Sequence, residues 1–472
     1  MQSVPLQTSH FLGQQRLVRT ASLLRSSGGP GQSAGGHLAG VGINAAATAG
    51  RARVSMSSAV EKVDVAIIGG GPGGLATAKG ITRACPELKV RVFERAKLRP
   101  RGASVFVMPN GMHALEALDP ETHARVLAHH SPAGATVTRN MAGEVIGEAG
   151  GDSVAAPFAS YGPCAYLLWA SLQKALADSL PEGVLETEVR LGDSPPRDEG
   201  DHVRLQIVSA GRRPDGAAAK EIEARVVVGA DGNQSQLRQH ILGDGPSSSM
   251  GVGLFRALLP RPEKWIAPNS ATIWAGPKQA FRTAVFQGDV ATWTGIVPWP
   301  AEEEHLLQGR AYIAANDAGE GARFSPKERC LRAFEHWPDA VRGIIAATDA
   351  DSILVHGQNY RDPDRCTVWG RGRATLVGDA AHLGTPLLGQ GTSQALEDAL
   401  ELSRCIHAHG ATSSALRAYE RARQPLAQPI QAISVDLFKR FQAGESFPPD
   451  NEARLSIEHG FVARSFRPLP VA

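Results

Sequence analysis

Residues 63–74 read VDVAIIGGGPGG, a short and mainly apolar run that passes directly into a glycine-rich turn. A run rich in β-branched residues is typical of a buried parallel strand. Gly69, Gly71 and Gly74 fit the spacing G-x-G-x-x-G. In this pattern the first glycine permits a tight turn, the second lets the backbone approach a pyrophosphate, and the third lets a helix pack on a strand. The stretch therefore predicts the start of a dinucleotide-binding α/β fold.

The sequence after this turn completes the pattern. It predicts a helix from Leu75 to Arg83 and a second strand from Lys89 to Phe93. The helix N-terminus would offer free N–H groups to phosphates. Glu94 follows Gly74 by 20 residues and could accept hydrogen bonds from a ribose diol. A carboxylate there would repel a 2′-phosphate, so FAD or NAD fits better than NADP. The chain shows no second glycine fingerprint, so a pyridine nucleotide would bind transiently or in a shared way.

Two further stretches repeat the passage from strand to glycine turn. Residues 226–232 read VVVGADG and residues 374–382 read ATLVGDAAH. The second continues through a Gly-Gln-Gly turn at residues 389–391 into a helix predicted from Ser393 to Ile406. At a strand end, Asp379 could bind a polyol hydroxyl. The Gly-Gln-Gly turn would aim a helix N-terminus at an anionic group.

Together these three motifs resemble those of the single-component (group A) flavoprotein monooxygenases, which include proteins like p-hydroxybenzoate hydroxylase, salicylate hydroxylase and zeaxanthin epoxidase. The resemblance covers roughly residues 62–245 and 365–425. It implies an α/β fold in which a Rossmann-like FAD-binding domain is interleaved with an antiparallel-sheet substrate domain. It also implies an enzyme that uses NAD(P)H and O₂ to hydroxylate or epoxidise an aromatic or isoprenoid-like small molecule through a flavin C4a-hydroperoxide, without a metal.

The resemblance assigns Asp231 to the surroundings of the pyrophosphate and the passing NAD(P)H. It assigns Asp379 to the ribityl chain and residues 389–392 to the flavin pyrimidine, where a helix dipole would stabilise the anionic reduced flavin. No residue is singled out as catalytic, but His382 and Pro386 are expected near the flavin. The residues expected to bind FAD are Gly69, Gly71, Pro72, Gly73, Gly74, Glu94, Arg95, Asp231, Asp379, Gly389, Gln390, Gly391 and Thr392.

Three positions depart from the family pattern. Trp169 stands where an arginine often faces the flavin, Leu383 follows His382 where proline is usual, and Ser393 replaces an expected asparagine. They leave two alternatives open: an FAD-dependent plastid reductase of the same superfamily, and a non-catalytic binding protein that kept the fold. The joint presence of all the glycine turns with Glu94 and Asp379 argues against a non-catalytic protein.

The middle of the chain is expected to carry substrate specificity. Residues 251–300 alternate apolar and polar positions, which predicts antiparallel strands with one buried face. Most aromatic side chains there are expected in the core, and a minority could line an apolar pocket. Arg256 and Arg282 could bind a carboxylate or phenolate. The pocket candidates are Arg256, Trp274, Phe286 and Trp293.

Charge and cysteine content exclude several classes of protein. The 472 residues include 49 Lys+Arg and 47 Asp+Glu, for a net charge of +2, without the basic excess of a nucleic-acid-binding protein. The sequence contains no run of 18 apolar residues, so it predicts no membrane span. The five cysteines are scattered, which is typical of buried thiols rather than of a disulfide scaffold or metal site.

The first 58 residues differ from the remainder. They contain five arginines and no acidic residue, and they are rich in Ser, Ala and Gly. This composition predicts an organelle transit peptide, more in keeping with a chloroplast than with a mitochondrion. Without these residues the net charge is −3.

The expected organisation has five parts. An apolar side on the helix from Ile430 to Phe441 indicates a docking helix or, as an alternative, a peripheral membrane contact. The expected segments are the transit peptide 1–58, the first FAD-binding part 59–245 with interleaved strands, the substrate sheet 246–364, the second FAD-binding part 365–429, and the C-terminal helix and tail 430–472.

Overall fold

A computed structural model describes residues 60–98, 104–132, 134–150, 161–211, 219–307, 324–445 and 466–470. They belong to one compact unit, Ser57–Ala472. The predicted transit peptide, 1–58, and most of the predicted tail lie outside the described residues.

The described elements are eighteen strands, ten α-helices and four short 3₁₀ helices. The strands are β1 (Glu61–Ile68), β2 (Val90–Glu94), β3 (Ser104–Val107), β4 (Ala135–Arg139), β5 (Val145–Gly150), β6 (Ala165–Leu168), β7 (Leu185–Thr187), β8 (Val189–Leu191), β9 (Arg197–Asp198), β10 (Val203–Ser209), β11 (Lys220–Gly229), β12 (Ser248–Pro260), β13 (Ser270–Gly276), β14 (Gln279–Phe286), β15 (Val290–Pro298), β16 (Leu354–Tyr360), β17 (Gly370–Arg371) and β18 (Ala374–Leu376). The α-helices are α1 (Pro72–Ala84), α2 (Pro109–Leu118), α3 (Pro120–Ala128), α4 (Trp169–Ala177), α5 (Gln236–Leu242), α6 (Pro326–Ala333), α7 (Asp339–Ala347), α8 (Asp379–His382), α9 (Gly391–His409) and α10 (Ser413–Ala443). The 3₁₀ helices are Gly232–Gln234, Ala301–Leu306, Ala350–Ser352 and Pro386–Leu388.

The first sheet brings the three predicted motifs side by side. Its main strand order is β17-β18-β11-β1-β2-β7. The strands β1, β2, β11 and β18 run parallel, with Ile68 opposite Gly229 and Gly229 opposite Leu376. Because the carboxyl ends of parallel strands share one edge of a sheet, the turns after β1, β11 and β18 meet there. This arrangement confirms the predicted parallel sheet with its glycine turns.

The second sheet has the order β16-β12-β15-β14-β13-β4-β5 and is antiparallel except where β4 pairs with β13. One face, which we call the helix face, packs against α6 and α7 through side chains such as Phe255, Phe281 and Trp293. The opposite face, which we call the cleft face, carries the alternate residues. The strands β4 and β5 come from within the first FAD-binding segment. The two sheets confirm the predicted fold class of an α/β domain interleaved with an antiparallel sheet.

The C-terminal helix is longer than predicted. It begins at Ser413 rather than Ile430, so α10 crosses the boundary expected between residues 429 and 430. Pro425 and Pro429 lie inside it. A proline inside a helix removes one backbone hydrogen bond and adds a steric clash, so it opposes a continuous helix. The helix continues because buried contacts hold it on both sides of the prolines.

None of the helices in the described residues is long and apolar enough to cross a membrane.

Candidate functional site

The first glycine turn closes on the second motif and leaves an opening in front of α1. Gly69 has a φ of +111°, and a Cβ there would lie 2.3 Å from the carbonyl oxygen of Ala230. A Cβ at Gly74 would lie 2.1 Å from the carbonyl oxygen of Gly69. By contrast, a Cβ at Gly71 would meet no atom within 4 Å. The chain is therefore tightly packed behind the turn and open in front of it, which is the shape that a bound pyrophosphate requires.

Two helix N-termini adjoin this opening. Gly71 is the N-cap of α1 and Gln390 the N-cap of α9, and neither helix has a side-chain cap or an acidic residue in its first turn. Pro72 occupies the first turn of α1. A Cβ at Gly73 would lie 3.2 Å from the Cβ of Ala395, so the start of α1 packs on α9. Uncapped N–H groups at the positive end of a helix dipole are suited to bind anions.

Glu94 lies at the end of β2, beside the glycine turn. Its Oε2 accepts a hydrogen bond from the N–H of Gly70 at 2.6 Å, and its Oε1 accepts one from Ala96 at 2.8 Å. A carboxylate can accept about four hydrogen bonds, so capacity remains for a ribose. Arg95 is exposed next to it.

Asp379 is an exposed residue in a buried segment. Its neighbours Val377, Gly378, Ala380 and Ala381 are all buried. The side chain touches solvent in the opening shared by the first and third glycine turns, which we call the cleft. Protein encloses it elsewhere, and this enclosure raises the pKa of the carboxyl while His382 partly offsets the effect.

Asp379 and the Gly-Gln-Gly turn line the same cleft. A Cβ at Gly391 would lie 3.8 Å from Oδ1 of Asp379, and Gly391 is itself exposed. Thr392 and Gly389 are half-buried and Pro386 is exposed, whereas Gln390 is buried. Asp379, Pro386 and Gly391 are therefore the most exposed parts of the third motif, and Gln390 is out of reach of a ligand.

The carboxylate of the second motif, Asp231, accepts hydrogen bonds from residues that follow it closely in the chain. Oδ1 of Asp231 accepts a hydrogen bond from the Ser235 hydroxyl at 2.5 Å, and Oδ2 accepts bonds from the N–H groups of Gln236 and Leu237. Desolvation raises the pKa of Asp231 although these bonds oppose the shift. The backbone of Asp231 lies beside Gly69, whereas its side chain stabilises the start of α5. The sequence suggested a role near the pyrophosphate and did not reveal this helix contact.

One of the three departures from the family pattern, Ser393, has a local physical reason. Ser393 is fully buried and its Oγ accepts a hydrogen bond from the N–H of Met108 at 3.0 Å. A Cβ at Gly111 would lie 2.8 Å from the Cβ of Ser393, so an asparagine would not fit between α2 and α9. Leu383 is buried and its backbone carbonyl accepts a bond from Gln431, as that of a proline would, so nothing in the structure explains leucine there. Trp169 is half-buried at the start of α4, and nothing in the structure explains its choice.

A buried ionic cluster behind the cleft was missed from the sequence. We call the set Glu397, Asp398, Arg423 and His382 the ion cluster. Each of these four side chains is at most 4% exposed. The only signal in the sequence was the pair of adjacent acids inside an otherwise apolar helix, which a surface position would have explained equally well.

The cleft face of the second sheet carries a row of half-buried polar residues. Arg256 on β12 pairs with Thr294 on β15, and Thr294 pairs with Arg282 on β14. The Arg282 guanidinium lies 5.0 Å from the centre of the Tyr166 ring. Next to Arg256, burial and the arginine charge lower the pKa of His356 to about 3, so this imidazole is neutral.

An aromatic cluster joins this row to the cofactor cleft. Phe286 lies on the cleft face with its ring centre 4.9 Å from that of Tyr166. The ring of Phe106 contacts Tyr166 at 6.4 Å, and a Cβ at Gly389 would lie 3.7 Å from Phe106. The row of arginines therefore adjoins the Gly-Gln-Gly turn.

The structure does not bring the two tryptophan candidates to the cleft face of the second sheet. Trp274 and Trp293 belong to the helix face, where both pack on Phe281. The indole N–H of Trp293 donates to the hydroxyl of Thr348 at 2.8 Å. The strand alternation that separates Arg256 and Phe286 from these tryptophans is visible in the sequence, but which face meets the cleft is not.

The residues present fit FAD. The opening at Gly71 and the uncapped start of α1 suit a pyrophosphate, Glu94 suits a ribose, and Asp379 suits a polyol chain. The uncapped start of α9 adjoins Asp379 in the same cleft. One cleft thus supplies partners for the adenosine, the pyrophosphate, the ribityl chain and an anionic ring.

Comparison with known proteins agrees with this fit. The family model described as FAD binding domain matches residues 62–434. The 3-amino-4-hydroxybenzoate 2-monooxygenase of Streptomyces cremeus is 31% identical over 80% of this chain and 88% of its own length. The chloroplastic zeaxanthin epoxidase of Spinacia oleracea is 27% identical over 77% of this chain, which spans only 52% of that relative.

Solved structures show the same fold. Klebsiella pneumoniae HpxO complexed with FAD and uric acid aligns with a TM-score of 0.64 and 20% identity, over 84% of this chain and 92% of that one. CtdE in complex with FAD and a substrate aligns with a TM-score of 0.66 and 17% identity, over 81% and 90% of the two chains.

Proposed function

The chain belongs to the family defined by this FAD binding domain, and from that membership we propose that it is an FAD-dependent monooxygenase. It would use NAD(P)H and O₂ to hydroxylate or epoxidise a small aromatic or isoprenoid-like molecule. The observation that carries the proposal is the convergence of all three motifs on one cleft that adjoins the arginine row of the second sheet.

The protein would supply binding, orientation and electrostatics, and bound FAD would supply the redox chemistry with NAD(P)H and O₂. Gly71 and the start of α1 would bind the pyrophosphate, and Glu94 the ribose. Asp379 would bind the ribityl hydroxyls. The N–H groups of residues 391 and 392 would stabilise negative charge on the reduced ring.

We favour an aromatic substrate that carries a carboxylate or phenolate. Arg256 and Arg282 place two positive charges on the cleft face, and the aromatic cluster of Phe106, Tyr166 and Phe286 offers an apolar wall beside them. A planar anion would satisfy both chemistries. The Streptomyces cremeus relative is named for a substrate of this kind.

We propose that the protein is located in plastids. The acid-free, arginine-containing composition of residues 1–58 supports it, as does the chloroplastic relative from spinach. We also propose segments 59–245 and 365–429 as the FAD-binding part and 246–364 as the substrate part.

The test of the activity uses the purified full-length chain. Its visible spectrum is recorded, NADPH or NADH is added under nitrogen and then in air, and O₂ uptake is compared with product formation. A yellow protein that bleaches and forms an oxygenated product supports the proposal. Bleaching without any O₂-dependent product from a panel of aromatic acids and isoprenoids would indicate a reductase, and a chain that cannot be reconstituted with FAD contradicts both.

The substrate class has its own test. The probes are 3-amino-4-hydroxybenzoate and its methyl ester, compared in wild type, R282Q and R282K. We expect R282Q to raise KM for the acid about tenfold or more and to leave the ester nearly unchanged, because only the acid uses the guanidinium charge. Equal effects on both probes would reject a carboxylate at Arg282, and no effect on either probe would reject the charge argument.

Asp379→Ala tests the proposed ribityl contact. Loss of hydrogen bonds to a charged group costs about 1.5–3 kcal/mol, so the Kd for FAD should rise about 10- to 100-fold. FAD titration of the apoprotein measures this, with circular dichroism as the control for folding. An unchanged Kd would refute the contact.

A further inference from the structure

The helix that starts at the cofactor cleft carries two buried acids close to its N-terminus. Glu397 and Asp398 lie in the second turn of α9 and are 4% and 0% exposed. Negative charge near the N-terminus of a helix opposes the use of that terminus for a second anion. A buried and unpaired carboxylate would in addition be costly.

Arg423 on α10 pairs with both acids. Its Nη1 lies 2.5 Å from Oε2 of Glu397 and its Nε lies 2.8 Å from Oδ1 of Asp398. Its Nη2 also donates to the side-chain oxygen of Gln394 at 2.7 Å. One guanidinium thus faces two carboxylates and one amide in a space closed to solvent.

The ion cluster is connected to both walls of the cleft. Oδ2 of Asp398 accepts a hydrogen bond at 2.9 Å from the N–H of Gly378, the residue before Asp379, and lies 2.6 Å from Nε2 of His382. These partners and Arg423 hold the pKa of Asp398 at about 2, despite its burial. On the other side, Oε1 of Glu397 accepts a bond from Asn110 at 2.6 Å.

Asn110 continues the connection to the Gly-Gln-Gly turn. Its side-chain N–H₂ group also donates to Oε1 of Gln390, the N-cap of α9, at 3.0 Å. A change in the cluster would therefore be transmitted to the turn before Asp379 and to the first turn of α9.

From these contacts we propose that Arg423 is a positioning residue that offsets one of the two negative charges of Glu397 and Asp398, and so keeps the start of α9 able to stabilise reduced flavin. The inference rests on the proposed function only in requiring that FAD bind this cleft. Without the guanidinium, the ion cluster would carry one more negative charge behind the ring-binding end of the cleft. Because the reduced ring is the more negative form, its binding would weaken relative to the oxidised ring.

The test is the midpoint potential of FAD bound to the full-length protein, measured anaerobically by dye equilibration without substrate. We compare wild type, R423Q, R423K, E397Q and R423Q/E397Q. The matched control is R421Q, which removes an exposed arginine of the same helix. The double variant restores the net charge of the cluster while it removes two of its ionic contacts.

We expect R423Q to weaken the preference for reduced over oxidised FAD on the order of tenfold, or about 30 mV for a two-electron couple. We expect R423K and R423Q/E397Q to return most of the way to wild type, E397Q to shift in the opposite direction, and R421Q to stay unchanged. A purely structural role predicts instead that the double variant is the most impaired.

Two outcomes would overturn the inference. One is a midpoint potential of R423Q equal to that of wild type. The other is a midpoint potential of R423Q/E397Q that is no higher than that of R423Q. If R423Q does not fold, E397Q decides, since an unchanged potential there contradicts the charge argument. A chain with the expected potentials but no oxygenated product would contradict only the monooxygenase proposal. A chain that binds no FAD would contradict both that proposal and the role of Arg423.

Discussion

At the scale of single residues, the glycines of the first motif have different physical tasks. Gly69 and Gly74 are held by the protein itself, since a Cβ at either would collide with a backbone oxygen. Gly71 has φ −75°, which any residue can adopt, and open space in front of it. The fold itself therefore imposes no steric demand for glycine at position 71.

This difference predicts opposite phenotypes for two alanine variants. Gly71→Ala should leave the thermal unfolding of the apoprotein nearly unchanged and weaken FAD binding at least tenfold. Gly74→Ala should destabilise the apoprotein by about 2 kcal/mol or more, because the collision is with backbone. Calorimetry and FAD titration measure the two effects. Equal loss of apoprotein stability in both variants would contradict the assignment.

Asp398 predicts a pH dependence of stability. Its pKa of about 2 lies below the ordinary value of 3.8, so it favours the folded state above about pH 4 and loses this contribution as the pH falls toward 2. The shift corresponds to about 2 kcal/mol. Urea unfolding at stepped pH should show the advantage of wild type over Asp398→Asn shrinking by about that amount between pH 5 and pH 2.

The control for this measurement is Asp436→Asn, which alters an exposed acid on α10. The difference in unfolding free energy between this variant and wild type should remain small between pH 5 and pH 2. A gap between wild type and Asp398→Asn that stays constant with pH would show that the ion cluster does not lower the pKa of Asp398.

At the scale of elements, the contact between α2 and α9 selects small residues. Gly111 and Ser393 face each other, and the hydroxyl of Ser393 also caps the N–H of Met108 at the start of α2. The close approach brings Asn110 within reach of Glu397 and Gln390. Serine at position 393 is therefore a consequence of helix packing in this chain.

We predict that Ser393→Asn, which introduces the residue expected from the family pattern, destabilises the protein by about 1–3 kcal/mol through overpacking. Chemical denaturation measures the change. The same substitution at exposed Ser414 should change stability by less than about 0.5 kcal/mol. A neutral or stabilising Ser393→Asn would show that the helices can separate without cost.

At the scale of the whole molecule, α10 joins the two sheets. Near its start, the Tyr419 hydroxyl donates to the carbonyl of Leu376 on β18. Near its end, Phe438 and Phe441 pack on Leu254 and other side chains of the cleft face. These contacts explain why the helix passes through two prolines without ending. The described part of the chain should therefore unfold as one unit.

Phe438→Ala tests this coupling. Removing a fully buried phenylalanine should cost about 3–5 kcal/mol. We expect hydrogen exchange measured in low denaturant to rise in peptides from β1 and β11 as well as in those from β12 and β15. Leu426→Ala, at an exposed position of the same helix, is the control. Faster exchange confined to the second sheet would show that the sheets unfold independently.

Local sequence patterns were sufficient for the strands and turns of the FAD-binding part. The strand before Gly69, the helix after it and the acid at the end of β2 lie close to where the sequence predicted them, because glycine spacing and apolar runs are read from consecutive residues. The ion cluster depends on Arg423 and Asn110, which lie 25 or more residues from the acids they contact. No local pattern reports such a pairing.

The sequence by itself determined the family, the parallel sheet and the order of its glycine turns, since steric and hydrogen-bonding requirements of a dinucleotide are written in consecutive residues. Only the tertiary structure decided which face of the second sheet meets the cleft, so that Arg256 and Arg282 adjoin it while Trp274 and Trp293 lie in the core. The physical reason is that strand alternation fixes two faces but not their partners. Those partners are helices and loops far away in the chain, and burial by them selects the face that remains open.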